Sequence, residues 1–139
     1  MALLILDEQL ANPKLVSALQ DRGLDAQTVG DFAVTGRADP DVVRGIHNSP
    51  STPDGWVFVT MDLTIIEDFS GFDWSLYALA WIQVPSHLRG AAVEQAKINT
   101  VHRYAHAIAE QVPGEHHTYT PRARFRQPPS LASLMRPPG

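Results

Sequence analysis

The chain has 139 residues, of which 44% are hydrophobic and 19% are charged, and this composition is typical of one folded domain. A domain of this size buries roughly two thirds of the surface of its unfolded chain, so it can form a core without disulfide bonds. The sequence contains no cysteine, which excludes thiolate metal sites, iron–sulfur clusters and cysteine nucleophiles. Any metal site in this chain must therefore use oxygen or imidazole ligands.

The net charge of −4 is unevenly distributed along the chain. Residues 1–80 contain twelve acidic and four basic residues, whereas residues 81–139 contain three acidic and seven basic ones. These charges either cover solvated surface or form a carboxylate cluster and a separate basic contact surface. No apolar run approaches the roughly 20 residues of a membrane helix, and the apolar residues 1–6 lack the basic flank of a signal sequence. We therefore expect a cytoplasmic protein.

The first part of the chain predicts alternating strands and helices. In order, these are a strand at 3–6, a helix at 13–22, a strand at 25–29, a short helix at 39–46 and a strand at 56–60. The first strand is an uninterrupted apolar run, which is typical of a parallel strand that is buried on both faces. The two helices begin at Asn12-Pro13 and Asp39-Pro40, where a capping side chain precedes a proline suited to the first turn.

The second part predicts one more buried strand, at 76–84, and a long helix at 86–112. The pattern of residues 63–75 is ambiguous, residues 118–125 are either an edge strand or a loop, and the tail from Gln127 is extended or disordered. The order of the elements predicts a three-layer α/β domain with a mainly parallel central sheet flanked by helices. We place this domain at 1–115 and an Arg/Pro-rich C-terminal extension at 116–139.

Acidic residues lie where two of the predicted strands end. Asp7 and Glu8 follow the first strand, Asp62 follows the strand at 56–60, and Asp39 and Asp41 begin the helix after the second strand. Active sites of open parallel sheets lie at the carboxyl ends of the strands, and carboxylates gathered there repel one another unless a cation is bound. Their oxygen atoms suit Mg²⁺ or Mn²⁺. The alternative is that each acidic residue is only a helix cap or a turn residue.

Four segments of the chain resemble, in the same order, the motifs of PIN-like nucleases, the group that contains the VapC-type toxins. They are Leu3-Leu4-Ile5-Leu6-Asp7-Glu8-Gln9-Leu10, Leu19-Gln20-Asp21-Arg22-Gly23-Leu24-Asp25-Ala26, Gly36-Arg37-Ala38-Asp39-Pro40-Asp41 and Val57-Phe58-Val59-Thr60-Met61-Asp62. The short branch of this family has a strand followed by Asp-Glu-Asn-Leu, a helix ending in a Leu-x-x-x-Gly-His-Asp-like turn, an Asp-Glu-Glu helix and a strand ending in Val-Thr-x-Asp. The resemblance covers about residues 3–69.

This resemblance implies a PIN-like fold and a metal-dependent ribonuclease that cleaves RNA as the toxin of a toxin–antitoxin pair. It also implies a cognate antitoxin, a homodimer and Mg²⁺ or Mn²⁺ as cofactor. The matching metal-binding and catalytic residues are Asp7, Asp39 and Asp62, with Asp41 and Glu8 as auxiliary ligands and Thr60 as a hydroxyl residue near the site.

The chain departs from the family pattern at two places. Gln9 replaces the usual asparagine, and the Asp-Phe pair expected just after Asp62 is displaced to Asp68-Phe69. The identity of a fourth ligand is therefore open, and so is the number of metal ions.

Alternating arginines near the end of the chain form a candidate basic surface. Arg122, Arg124 and Arg126 point to the same side if this segment is extended, so they can contact RNA phosphates or dock an acidic antitoxin. Arg37, which is close to Asp39 in sequence, is a further candidate for phosphate binding.

Two other functions compete with the nuclease. A PIN-like domain that has lost activity would only bind RNA or a protein partner. A response-regulator receiver would use Asp7 and Glu8 as its acidic pair and Asp62 as its phosphoacceptor. A receiver needs a lysine at the end of its last strand, however, and Lys14 and Lys97, the two lysines of the chain, both fall on predicted helices.

Two further groups of residues have a functional and a structural interpretation. His102 and His106 are spaced to bind a metal on one helix face, with His116 and His117 nearby, but solvated helix residues are the favoured interpretation. Trp74, Tyr77 and Trp81 are candidates for contacts with a partner chain, although burial in the core is favoured for at least two of them.

Overall fold

We analysed a computed structural model of the chain, which describes residues 2–32, 39–48, 55–62, 65–68, 71–121 and 124–125. For Phe32, Asp39, Pro40, Arg124 and Phe125 it describes the main chain alone. The strands are β1 (Leu3–Leu6), β2 (Ala26–Thr28), β3 (Trp56–Thr60), β4 (Ala78–Ile82), β5 (His116–Tyr119) and β6 (Arg124–Phe125). The α-helices are α1 (Pro13–Asp21), α2 (Asp39–His47), α3 (Ile65–Asp68) and α4 (Ala91–Ala109), and short 3₁₀ helices cover Glu8–Leu10, Val29–Phe32 and Trp74–Leu76.

The strands form one sheet in the order β2-β1-β3-β4-β5-β6. The first five strands of this order are parallel, and β6 pairs with β5 in the antiparallel direction. Leu6 of β1 pairs with Val59 of β3, and Thr60 pairs with Trp81 of β4. The carboxyl ends of β1, β3 and β4 therefore lie side by side.

Helices cover both faces of the sheet. Alternate residues of β1 point to opposite faces, so that Leu4 and Leu6 pack in the core under α1 and α4, whereas Leu3 and Ile5 pack in the core under α2 and α3. Because both faces are buried, every residue of β1 is apolar, and each fully buried leucine or isoleucine contributes roughly 1.5–3 kcal/mol to stability. The predicted three-layer α/β architecture with a mainly parallel sheet is confirmed.

The long helix is shorter than its sequence pattern predicts. It begins after Gly90, whose φ of 57° lies in the left-handed region, and it ends at Ala109. The expectation that the helix extends from 86 to 112 is therefore wrong at both ends, and Val112 lies beyond the helix and is 56% exposed. The residue before a proline is disfavoured in the helical region, and Pro113 follows Val112.

The sheet continues beyond residue 115. Residues 118–125, for which the sequence leaves two alternatives, contribute to β5 and to the edge strand β6. The first residues of the expected C-terminal extension are therefore part of the sheet. The guanidinium of Arg103 on α4 donates to the carbonyl oxygen of Pro121 at 2.7 Å and anchors the connection between these two strands.

The aromatic residues considered as partner contacts are core residues. Trp74, Tyr77 and Trp81 are all buried in the core under α2 and α3, so the interpretation of these side chains as an exposed contact surface is wrong. Within the described parts of the chain, no helix is both long and apolar enough to cross a membrane.

Candidate functional site

Asp7 lies at the carboxyl end of β1 and is buried. Its main-chain N–H donates to the carbonyl oxygen of Val59 at 2.9 Å, which extends the pairing of β1 and β3 by one residue. One carboxylate oxygen, Oδ1, accepts the Glu8 N–H at 2.8 Å, and the other, Oδ2, accepts the Thr60 hydroxyl at 2.8 Å. The carboxylate is thus fixed in orientation by two hydrogen bonds.

Thr60 connects Asp7 to Asp62. The Thr60 side chain is fully buried at the end of β3, and its hydroxyl oxygen accepts the Asp62 N–H at 3.1 Å while donating to Asp7. Asp62 itself is half-buried just beyond β3. Its main-chain carbonyl accepts the indole N–H of Trp81 at 2.9 Å. The structure therefore brings together Asp7, Thr60 and Asp62 at the carboxyl ends of β1 and β3.

The surroundings of Asp7 disfavour its charged form. Burial raises the pKa of the Asp7 carboxyl above its ordinary range, and the nearby negative charges of Glu8 and Asp62 raise it further. The hydrogen bonds from Thr60 and from the Glu8 N–H lower it and only partly oppose the effect of burial. Among the described residues, no lysine, arginine or histidine forms an ion pair with Asp7. Either a proton or a bound cation would offset the negative charge of this carboxyl group.

The donor set suits Mg²⁺ or Mn²⁺. Among the described side chains, no group of three or more acidic or histidine residues is arranged to hold a metal. Mg²⁺, however, keeps several of its waters and is commonly held by one or two carboxylates together with substrate phosphates. The oxygens of Asp7 and Asp62 fit this kind of site, and the side chain of Asp39 lies outside the described residues.

The auxiliary acidic residues have different surroundings. Glu8 is exposed in the 3₁₀ helix that follows Asp7. Asp41 is exposed in the first turn of α2, where its carboxylate lies 3.7 Å from the guanidinium of Arg44. The described contacts therefore keep Glu8 next to the site and give Asp41 a partner on its own helix.

A pocket of about 430 Å³ opens beside Glu8. It lies between the segment that follows β1 and the first turns of α4, and it contains Lys97. The Lys97 ammonium lies 2.9 Å from the Glu94 carboxylate and donates to the carbonyl oxygen of Gln9 at 3.3 Å. The fold brings Lys97 close to Glu8 and Gln9, and the sequence does not reveal this, because the contact of Lys97 with Gln9 joins residues 88 positions apart.

The candidate RNA-binding arginines are mostly outside the described residues. Arg37, Arg122 and Arg126 fall there, and of Arg124 the structure describes only the main chain, in β6. In the antiparallel register, Arg124 pairs with Tyr119, the last residue of β5.

The histidines considered as metal ligands contact other protein groups in the fold. His102 and His106 are exposed on α4, as the favoured interpretation expects, and the Arg22 guanidinium donates to the His102 carbonyl and lies 3.0 Å from Nδ1 of His106. Nε2 of His116 lies 3.0 Å from the carbonyl oxygen of Trp74, and Nε2 of His117 lies 3.3 Å from the Glu115 carboxylate.

Comparison of the chain with protein-family models, with curated proteins and with solved structures gives no match. The function therefore has to be inferred from the site at the carboxyl ends of β1 and β3.

Proposed function

We propose that the protein is a Mg²⁺- or Mn²⁺-dependent endoribonuclease of the PIN-like type, acting as the toxin of a VapBC-type toxin–antitoxin system. The observation that supports this proposal is the Thr60 hydroxyl, which joins the buried Asp7 carboxylate to the main chain of Asp62. Asp7 also caps the 3₁₀ helix Glu8–Leu10, because its carboxylate accepts the Glu8 N–H. A cap alone, however, does not require a carboxylate that is buried beside a second acidic residue, where both desolvation and repulsion oppose its charge.

In this proposal, Asp7 and Asp62 hold the metal ion, and Glu8, Asp39 and Asp41 are the further candidate ligands. When bound there, a metal ion would supply a more acidic water molecule and would offset charge on the phosphodiester. Thr60 orients the Asp7 carboxylate by donating to Oδ2, which leaves the remaining lone pairs of that group for the ion. The burial of Asp7 strengthens its attraction for a cation, because water screens the charge less there.

The proposed partners are an RNA substrate, a cognate antitoxin and a second copy of the chain, and the proposed location is the cytoplasm. Arg37, Arg122, Arg124 and Arg126 are the proposed contacts for RNA phosphates or for the antitoxin. Light scattering tests the dimer, since a mass of one chain at micromolar concentration would contradict it. Harmless expression of the chain without any antitoxin would contradict the toxin assignment.

Cleavage of labelled single-stranded RNA by the purified protein tests the activity. We expect cleavage with Mg²⁺ or Mn²⁺, none with EDTA, and recovery when Mn²⁺ is restored in excess. Asp62→Asn should lower the rate by at least about 100-fold, because it removes the charge of a proposed ligand. Asp25→Asn is the matched control, since Asp25 is an exposed aspartate at the opposite edge of the sheet. Cleavage that survives EDTA, or an Asp62→Asn protein with the wild-type rate, would overturn the metal mechanism.

A receiver-like phosphoacceptor domain is the second candidate, and the strand order favours it. The parallel order β2-β1-β3-β4-β5 is the flavodoxin-like order. In that order, ligands bind at the carboxyl ends of β1 and β3, between which the strand order reverses. Against it, β5 ends at Tyr119 and continues with Thr120-Pro121, so the end of this strand lacks the lysine that a receiver requires.

Incubation with acetyl phosphate and Mg²⁺ separates these candidates. The receiver predicts a mass increase of one phosphoryl group that Asp62→Asn abolishes, whereas the nuclease predicts an unchanged mass. A protein that is neither phosphorylated nor able to cleave RNA, but that retains RNA or a co-expressed partner, would instead be an inactive binding module.

A further inference from the structure

Trp81 places an indole N–H next to the candidate site. It lies on β4 directly beside Thr60 of β3, and its side chain is fully buried. A buried indole N–H requires an acceptor, and this one donates to the main-chain carbonyl of Asp62 at 2.9 Å. The same carbonyl accepts the Ile65 N–H at 3.3 Å, at the start of α3.

The main chain of Asp62 is consequently held on both sides. Its N–H donates to the Thr60 hydroxyl and its carbonyl accepts from Trp81. Asp62 lies between β3 and α3, outside the strand ladder, so these two side-chain bonds, together with the main-chain bond from Ile65, hold it in place. Thr60 and Trp81 pair with each other near the carboxyl ends of β3 and β4, two neighbouring strands in the middle of the sheet.

Trp81 is itself held in place by an aromatic neighbour. Its ring packs edge-on against His116 of β5, with 5.8 Å between ring centroids. Nε2 of His116 lies 3.0 Å and 3.2 Å from the carbonyl oxygens of Trp74 and Tyr77, so the imidazole is anchored in turn. The indole is thereby fixed by contacts that do not involve the site.

We infer that Trp81 is a positioning residue, whose indole N–H holds Asp62 at the distance and orientation in which its carboxylate acts together with Asp7. This inference rests on the proposed function, because it gives Trp81 a role in that same site. Outer groups that orient metal ligands typically change metal affinity or activity by 10- to 100-fold when they are removed. Trp81 would belong to this class of groups, and Asp62 would remain the residue that contacts the ion.

The test compares Trp81→Phe with Trp56→Phe. Trp56 is also buried, is on β3 and packs in the same core, but it lies at the amino end of its strand, against His47 and Tyr77. We expect Trp81→Phe to raise the Kd for Mn²⁺ alone, measured by calorimetry, by about tenfold or more. The same variant should lower kcat for RNA cleavage by a similar factor with little change in KM. The reason is that the displaced group, the Asp62 carboxylate, is proposed to act at the reacting phosphate and not to bind the rest of the RNA. Trp56→Phe should leave the Mn²⁺ affinity at the wild-type value.

A second variant separates the effect of the hydrogen bond from the effect of packing. Replacing Trp81 with 3-benzothienylalanine keeps the bicyclic ring and substitutes sulfur for the N–H, so a folded protein is retained if Trp81→Phe unfolds. The inference predicts that this isostere weakens Mn²⁺ binding as Trp81→Phe does. If the isostere binds Mn²⁺ as tightly as the wild type, the inference is overturned and the proposed function stands. A wild-type protein that neither binds Mn²⁺ nor cleaves RNA overturns both.

Discussion

Polar side chains are buried in opposite ways at the two ends of the parallel strands, which we call the amino edge and the carboxyl edge of the sheet. At the amino edge, Gln111 is buried and its amide donates to the carbonyl oxygens of Leu79 at 2.8 Å and of Glu115 at 3.1 Å. Its amide oxygen accepts the Tyr119 hydroxyl at 2.7 Å. At the carboxyl edge, Asp7 is equally buried but is ionisable, and its neighbours include the acidic Glu8 and Asp62.

This difference separates stability from function. A neutral network whose donors and acceptors are satisfied within the chain stabilises the fold, and Gln111, two residues beyond α4, joins β4 and β5 in this way. A buried carboxylate beside other carboxylates destabilises the fold unless a cation compensates for it. Arrangements of this kind are common at functional sites, where they prepare a group for its ligand.

Among the variants that test this comparison, the largest expected effect concerns the Thr60 hydroxyl, which joins Asp7 and Asp62 at the carboxyl edge. Thr60→Val keeps the shape of the side chain but removes both the donor to Asp7 and the acceptor of the Asp62 N–H. We expect kcat for RNA cleavage to fall about 10- to 100-fold, as is typical when an outer partner of a metal ligand is removed. Single-turnover cleavage in the presence of saturating Mn²⁺ measures this change.

Thr28→Val is the matched control for this prediction. Thr28 ends the neighbouring strand β2, and its hydroxyl donates to the Asp31 carboxylate at 3.3 Å. This variant should cleave RNA at the wild-type rate. Equal losses in the two variants would show that any hydroxyl at this edge matters for folding alone, and the contrast between the two edges would then lose its functional meaning.

The parts of the site that the sequence predicts are those set by local pattern. An apolar run that stops at an acidic residue marks both a buried strand and the position of its carboxyl end, and this places Asp7 and Asp62 at one edge. A local pattern also predicts the helix that begins at Asn12-Pro13. The structure shows the predicted cap, because the Asn12 side chain accepts the Lys14 N–H at 2.9 Å.

The parts that the sequence does not predict depend on contacts between distant segments. The bond from Trp81 to Asp62 spans 19 residues and the bond from Lys97 to Gln9 spans 88, and neither spacing has a local signature. The short strand β6 is recognisable only once β5 provides its partner. Leu76 shows the limit of apolar patterns, since the pattern predicts that it begins a buried strand, whereas it lies in a 3₁₀ helix and is 59% exposed.

A smaller effect is expected from the arginines near the end of the chain. The carboxylates at the carboxyl edge repel RNA, so the attraction has to come from another surface. Arg124 lies in β6, four strands from β1, which corresponds to roughly 19 Å at the usual strand spacing. Replacing Arg122, Arg124 and Arg126 with alanine should weaken RNA binding on the order of tenfold. The slope of the logarithm of the RNA-binding constant against the logarithm of the salt concentration should also become less steep, by about 0.7 for each phosphate that the variant no longer binds.

Fluorescence titrations of labelled RNA at several salt concentrations measure this change, with Arg89→Ala as the control. The Arg89 guanidinium donates to the carbonyl oxygens of Ser86 and Leu88 in its own loop. A triple variant that binds RNA normally but no longer holds a co-expressed antitoxin would assign the arginines to the protein partner. We favour that assignment, because a proline-rich segment suits docking better than the placement of a phosphate for in-line attack.

The smallest expected effects are changes in stability, which have opposite signs at the two edges. Asp7→Asn removes the buried charge, and its amide can still accept the Glu8 N–H and donate to the Thr60 oxygen, so we expect Tm at neutral pH to rise by a few degrees. Gln111→Leu should instead lower the free energy of unfolding by about 1–3 kcal/mol, since it leaves the Tyr119 hydroxyl without its acceptor at the amino edge.

The dependence on pH and on metal distinguishes the Asp7 effect from a general change in packing. Because burial raises the pKa of Asp7 in the folded state, the unfolded chain loses this proton first as the pH rises, and the wild-type free energy of unfolding falls between the ordinary pKa and the raised one. The advantage of Asp7→Asn should therefore be complete above the raised pKa and vanish at a pH below the ordinary one. Mn²⁺ should raise the Tm of the wild type and not that of Asp7→Asn, because binding to the folded state alone stabilises it. Thermal unfolding followed by circular dichroism from acid to neutral pH, with and without Mn²⁺, measures both effects, and a wild-type Tm that Mn²⁺ leaves unchanged would contradict the assignment of Asp7 as a ligand.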